Sequence, residues 1–125
     1  MITPVSFPIA KLLTHTEFNQ KSTERGYIIA TGEESFDYAI DYMNRKAIAA
    51  PTIAELVMWL YEKHGIWIVP LPTPTKHFVF GIYNIEKPYE LVNGEMKKSF
   101  NSPTEAYEAA IEHTLKNLIN ERIQI

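Results

Sequence analysis

The sequence predicts an α+β domain in two layers: an antiparallel sheet of about four strands with helices packed on one face, in the order α-(ββ)-α-β-β-β-β-α. Three observations carry this. Ala50–Pro70 reads as a helix start, an apolar-faced helix, a stop and a short strand. Asn93-Gly94 is the preferred type I′ pair for a two-residue hairpin. Ser102, Pro103 and Glu105 open a second well-marked helix.

At the start of the chain, Ser6 stands where a first helix can be capped, and Pro8 is tolerated in the first turn. Ile9, Leu12, Leu13 and Thr16 give that helix one face, and it fades near Phe18. Asn19 to Gly26 is a polar loop. Tyr27–Ala30 is a short strand, and Thr31–Ser35, with Gly32, is a turn. From Phe36 to Met43 two patterns compete. Phe36, Tyr38, Ile40 and Tyr42 alternate with their neighbours, which favours a strand paired with Tyr27–Ala30. Phe36, Ile40 and Met43 also share one helical face. The strand is the preferred reading.

The central helix has a capping box, Thr52 with Glu55 three residues on. Ile53, Leu56, Val57 and Leu60 recur at helical spacing, and Trp59 widens the stripe. Lys63 and His64 suit the negative end, and Gly65 suits a left-handed stop. Ile66–Val69 is β-branched and aromatic, and Pro70 ends it. Pro72 and Pro74 keep the next few residues out of any regular element. His77–Ile85 is the next strand, apolar on both faces, where Gly81 marks a bulge or the close approach of a helix.

In the Asn93-Gly94 hairpin, Val92 pairs with Glu95, Leu91 with Met96, Glu90 with Lys97 and Tyr89 with Lys98. In the closing helix, Tyr107, Ala110, Ile111, Thr114, Leu115 and Leu118 form the buried stripe. Glu112 and Lys116 pair on the solvent side. Residues 120–125 are expected to fray.

The 125 residues point to one domain, 1–125, with enough chain for a core. No cysteine is present, so disulfides and thiolate chemistry are excluded. A net charge of −3 speaks against a general nucleic-acid binder. No apolar run approaches the ~20 residues that span a bilayer. The start of the chain lacks a signal-peptide pattern, so a cytoplasmic, non-membrane protein is expected.

Motifs that carry chemistry are scarce. The five glycines are too dispersed for a phosphate loop. No serine lies in a nucleophile elbow, and no zinc-protease helix is present. His64 and His77 flank the first strand after the central helix. With a carboxylate they would make a metal or acid–base site, although a helix end and a strand start explain both. Glu33, Glu34, Asp37 and Asp41 cluster around a turn, where acidic residues are common, and match no calcium loop. The order from Thr52 onward parallels a double-stranded-RNA-binding domain. Its closing helix, however, starts with the acidic Ser102-Pro103-Thr104-Glu105. No cofactor is expected.

Aromatic residues make up 12% of the chain, more than a small core needs. Tyr38, Tyr42, Tyr61 and Trp67 are the candidates for a partly exposed contact surface.

Two stretches, APTIAELVMWLYEKHGIWIVP (Ala50–Pro70) and FNSPTEAYEAAIEHTLKNLI (Phe100–Ile119), resemble small uncharacterised proteins of phages, prophages and mobile elements of gut Bacteroidetes. Ile9-Ala10-Lys11-Leu12-Leu13 is similar to their leading helix. The resemblance implies this fold order but no activity, and the matching residues are caps and core. The sequence therefore favours a non-enzymatic accessory protein acting through protein contacts, as a homo-oligomer or on a phage or host protein. The alternatives are a small hydrolase or metal-dependent enzyme using His64 and His77, and a nucleic-acid-binding accessory protein.

Overall fold

In the computed structural model, residues 3–85 and 99–123 are described, with side chains described as far as residue 120. The elements are α1 (Phe7–Leu13), β1 (Gly26–Ile28), α2 (Tyr38–Met43), β2 (Ala47–Ala49), α3 (Ile53–His64), β3 (Ile66–Pro72), β4 (Phe78–Asn84) and α4 (Pro103–Ile123). The class is α+β, as expected. The strands do not join in one sheet: β1 pairs with β2 and β3 with β4, both antiparallel. The Asn93-Gly94 hairpin falls outside the described residues.

The two capping signals are realised. The Glu55 N–H donates to Thr52 Oγ1 at 3.1 Å, and the Thr52 N–H donates to Glu55 Oε1 at 3.3 Å. Gly65 closes α3 at φ 64°, a left-handed conformation that costs glycine nothing. At α4 the Glu105 N–H donates to Ser102 Oγ, and the Glu105 carboxylate reaches back to the Asn101 N–H. Ser6 occupies the N-cap of α1 but makes no side-chain cap bond. Its own N–H donates instead to Glu108 Oε2 of α4 at 3.1 Å, tying the two helices together. The helix α4 runs to Ile123, into the stretch expected to fray.

One core joins these elements. Ile9 and Leu13 of α1, Leu56 and Leu60 of α3, and Ile111 and Leu115 of α4 are all buried within it. Ile68 and Ile82 are cross-strand partners in the β3–β4 ladder, and both are fully buried.

The Phe36–Met43 segment overturns the preferred strand. Tyr38–Met43 is a helix, Asp37 is its N-cap, accepting the Ile40 N–H at 3.3 Å, and Phe36 lies ahead of the cap. The partner of β1 is Ala47–Ala49, Ile48 between two alanines, buried throughout. On β1, Gly26 leaves room for the Tyr38 ring, with which a Cβ there would collide. The other edge of β1 is met by residues 33–35, through Ile28 N–H to Glu33 O at 2.8 Å and Ser35 N–H to Gly26 O at 2.8 Å.

Two further expectations change. The strand β3 continues through Pro70 to Pro72. The bonds Ile85 N–H to Gly65 O and Thr73 N–H to His77 O fix the ladder's phase. In that phase residues 66, 68, 70 and 72 direct their backbone nitrogens away from β4. The two prolines therefore remove no ladder bond. At Gly81 the ladder is unbroken, so there is no bulge. The space over it is filled by the Tyr83 ring, 2.7 Å from where a Cβ would stand.

Candidate functional site

The helix α2 has apolar residues on two opposite sides. At about 100° per residue, Tyr38 and Tyr42 share one side. Ala39, Ile40 and Met43 face away from them, and Phe36 stands just ahead of the N-cap Asp37, lining the same cleft as Ala39 and Met43. The inner side is held firmly. Tyr38 is 5% exposed, its hydroxyl donates to Gln20 O at 2.7 Å, and its ring centroid lies 5.6 Å from that of Tyr42. Gln20 in turn accepts the Ala49 N–H on Oε1 at 2.8 Å, so the loop after α1 links α2 to β2. Asp41 accepts a short hydrogen bond from Ser35 Oγ, which fixes the turn ahead of the helix. Burial raises the Tyr38 hydroxyl to about 12, with a smaller contribution from Tyr42.

The outer side carries no cover. Phe36 is fully exposed, Met43 is 80% exposed and Ile40 is 56% exposed. A cleft of about 650 Å³ opens beside it, lined among others by Lys21, Glu24, Phe36, Tyr42 and Met43. An amphipathic helix on a folded surface ordinarily turns charge to water. Here the water-facing side is the more apolar of the two.

The four aromatic residues expected at a contact surface divide into two pairs. Tyr38 is buried, contrary to expectation, because its hydroxyl finds a backbone acceptor inside. Tyr42 is half-buried and contributes to the cleft floor. Tyr61 and Trp67 are 41% and 38% exposed and meet edge to face at 5.6 Å, joining α3 to β3. The most exposed apolar residues, Phe36, Ile40 and Met43, do not stand out in the sequence. Their shared helical face is the legible sign, and the strand alternation outweighs it.

The histidine pair does not assemble. His64 ends α3, two residues ahead of β3, and His77 stands just ahead of β4, so the two lie at opposite ends of a seven-residue ladder. At about 3.3 Å per residue this puts them roughly 20 Å apart. His64 Nε2 lies 3.0 Å from Glu17 Oε1, off the line of a hydrogen bond, and its ring meets Trp59 edge-on at 5.1 Å. Trp59 is flanked in turn by Phe18 at 5.4 Å. His77 Nδ1 contacts Thr75 Oγ1 at 3.2 Å within the β3–β4 turn. Three of the four acidic residues around Gly32 are engaged structurally: Asp37 caps, Asp41 holds Ser35, and Glu34 pairs with Arg25 at 3.7 Å. Among the described residues no three histidine or carboxylate groups gather as a metal site. No helix among them is long and apolar enough to cross a membrane.

No protein-family model matches the chain, and no curated protein or solved structure matches it.

Proposed function

We propose that this is a non-enzymatic accessory protein that works by protein contact, with the outer side of α2 and its adjoining cleft as the docking surface. The resemblance of Ala50–Pro70 and Phe100–Ile119 supports an origin among phage or mobile-element proteins. The observation that carries the reading is a fully exposed Phe36 just ahead of α2, lining one cleft with Met43, beside a helix that also exposes Ile40 and whose opposite side is locked to the fold. Contiguous exposed apolar surface rimmed by polar residues is a mark of protein interfaces. The packed inner side matters equally, because a surface held rigid loses less freedom on binding.

A photo-reactive amino acid at Phe36 tests this in cells. Covalent adducts at Phe36, and none at the exposed Lys116 of α4, support the reading. No adduct at Phe36 overturns it.

A further inference from the structure

An interface between two copies of one chain must complement itself under a half-turn. The outer side of α2, with Phe36 just ahead of it, carries exposed apolar groups between ends of opposite charge. Ile40 lies at its centre. Met43 follows it by three residues, about 4.5 Å along the axis, and the exposed Phe36 stands just ahead of the N-cap Asp37. The ends carry opposite charge: Asp37 is exposed at the amino end, and Arg45 and Lys46 are exposed just beyond the carboxyl end. Lys21 and Glu24 on the cleft rim add one charge of each sign and leave this polarity intact.

We propose that a second copy of this chain covers the surface, the two α2 helices packing antiparallel about a two-fold axis near Ile40. This rests on the docking role of α2 and names its occupant. The half-turn sets Phe36 against the partner's Met43, a favourable aromatic–sulfur contact. It brings the acidic end of each helix to the basic end of the other and opposes the two helix dipoles.

The chain contains no cysteine, so a single one reports without background. On the axis, Ile40→Cys should link to itself under mild oxidation, whereas Lys116→Cys on α4 should not. Sedimentation of the wild-type chain should give twice the chain mass as concentration rises. The double variant Arg45→Asp with Lys46→Glu sets like charges together. It should dissociate at low salt and recover with added salt, the reverse of the wild-type response. A single-chain mass at every concentration, or a dimer in which Ile40→Cys links no faster than Lys116→Cys, overturns the two-fold pairing. If Phe36 then forms adducts with a different protein, the docking role survives and only the identity of the occupant fails. If it forms none, both fail.

Discussion

The Tyr38 hydroxyl donates to the backbone carbonyl of Gln20 at 2.7 Å. Through this bond a six-residue helix is anchored to a loop eighteen positions earlier. Short helices are marginal alone, and α2 holds its shape because Tyr38 and Tyr42 are fixed from below. The Gln20 side chain extends the anchor to β2 through the Ala49 N–H.

Tyr38→Phe removes the donor and keeps the ring. The expected loss is about 1 kcal/mol, read as a fall of roughly 3–6 °C in the melting midpoint. The same variant changes the alkaline response. Below pH 10 the hydroxyl is protonated in both states. Between 10.0 and about 12 the unfolded chain releases the proton while the folded chain keeps it, so stability falls as pH rises. Burial, then Glu34 and Glu108, raise Tyr27 in the same direction. Urea titrations from pH 9 to 12 should show a shallower decline in Tyr38→Phe than in the wild type.

Gly26→Ala should be far more damaging than its size suggests. The new methyl would meet the Tyr38 ring and stand 2.6 Å from the Ile48 carbonyl oxygen. The expected cost is about 3 kcal/mol, the upper end for overpacking. Combined with Tyr38→Ala, the two losses should sum to less than their separate values, because the methyl and the ring compete for one space. Additive losses in chemical denaturation would contradict that account.

The two ends of α3 can be tested separately. Thr52→Ala removes one half of a complete capping box and should cost about 1 kcal/mol. Gly65→Ala meets nothing within 4 Å, so its cost is the left-handed backbone alone, again about 1 kcal/mol. Gly65→Asn should recover part of that loss. Equal losses for Ala and Asn would point to a packing effect instead.

The outer side of α2 should be nearly neutral for folding. Phe36→Ser and Met43→Ser are each expected within about 0.5 kcal/mol of the wild type in urea unfolding. Tyr42→Ala on the opposite side should cost about 2 kcal/mol. A large loss from Phe36→Ser that does not change with protein concentration would mean that the exposed ring serves the fold rather than a contact.

The contrast between α3 and α2 explains what is legible in the sequence. Thr52, Glu55, Gly65 and Ser102 act through bonds to neighbours three or four residues away, so spacing alone reveals them. The fate of Phe36–Met43 depends on distant partners: Gln20 for Tyr38, and Gly26 for the space its ring fills. Alternation and helical periodicity both fit the segment, and only packing can choose between them. The Ala47–Ala49 strand escapes a sequence reading for the same reason, since only Ile48 of its three residues has a strand preference and the two alanines have none. For the site, Tyr61 and Trp67 are partly exposed, as expected. Tyr38 is not, because a polar tip satisfied inside the fold leaves no mark on the sequence.

The prolines of β3 bear on how the protein can assemble. Along the side of that strand facing away from β4, Pro70 and Pro72 replace two of the four backbone donors that another strand would seek. A passing chain would find carbonyls there and few N–H groups to answer its own, so strand-on-strand growth is poorly templated. The half-turn pairing proposed for α2 would consume its apolar surface in a single step. Together these would bias the chain toward an assembly that stops at a fixed number of copies, and away from one that lengthens indefinitely.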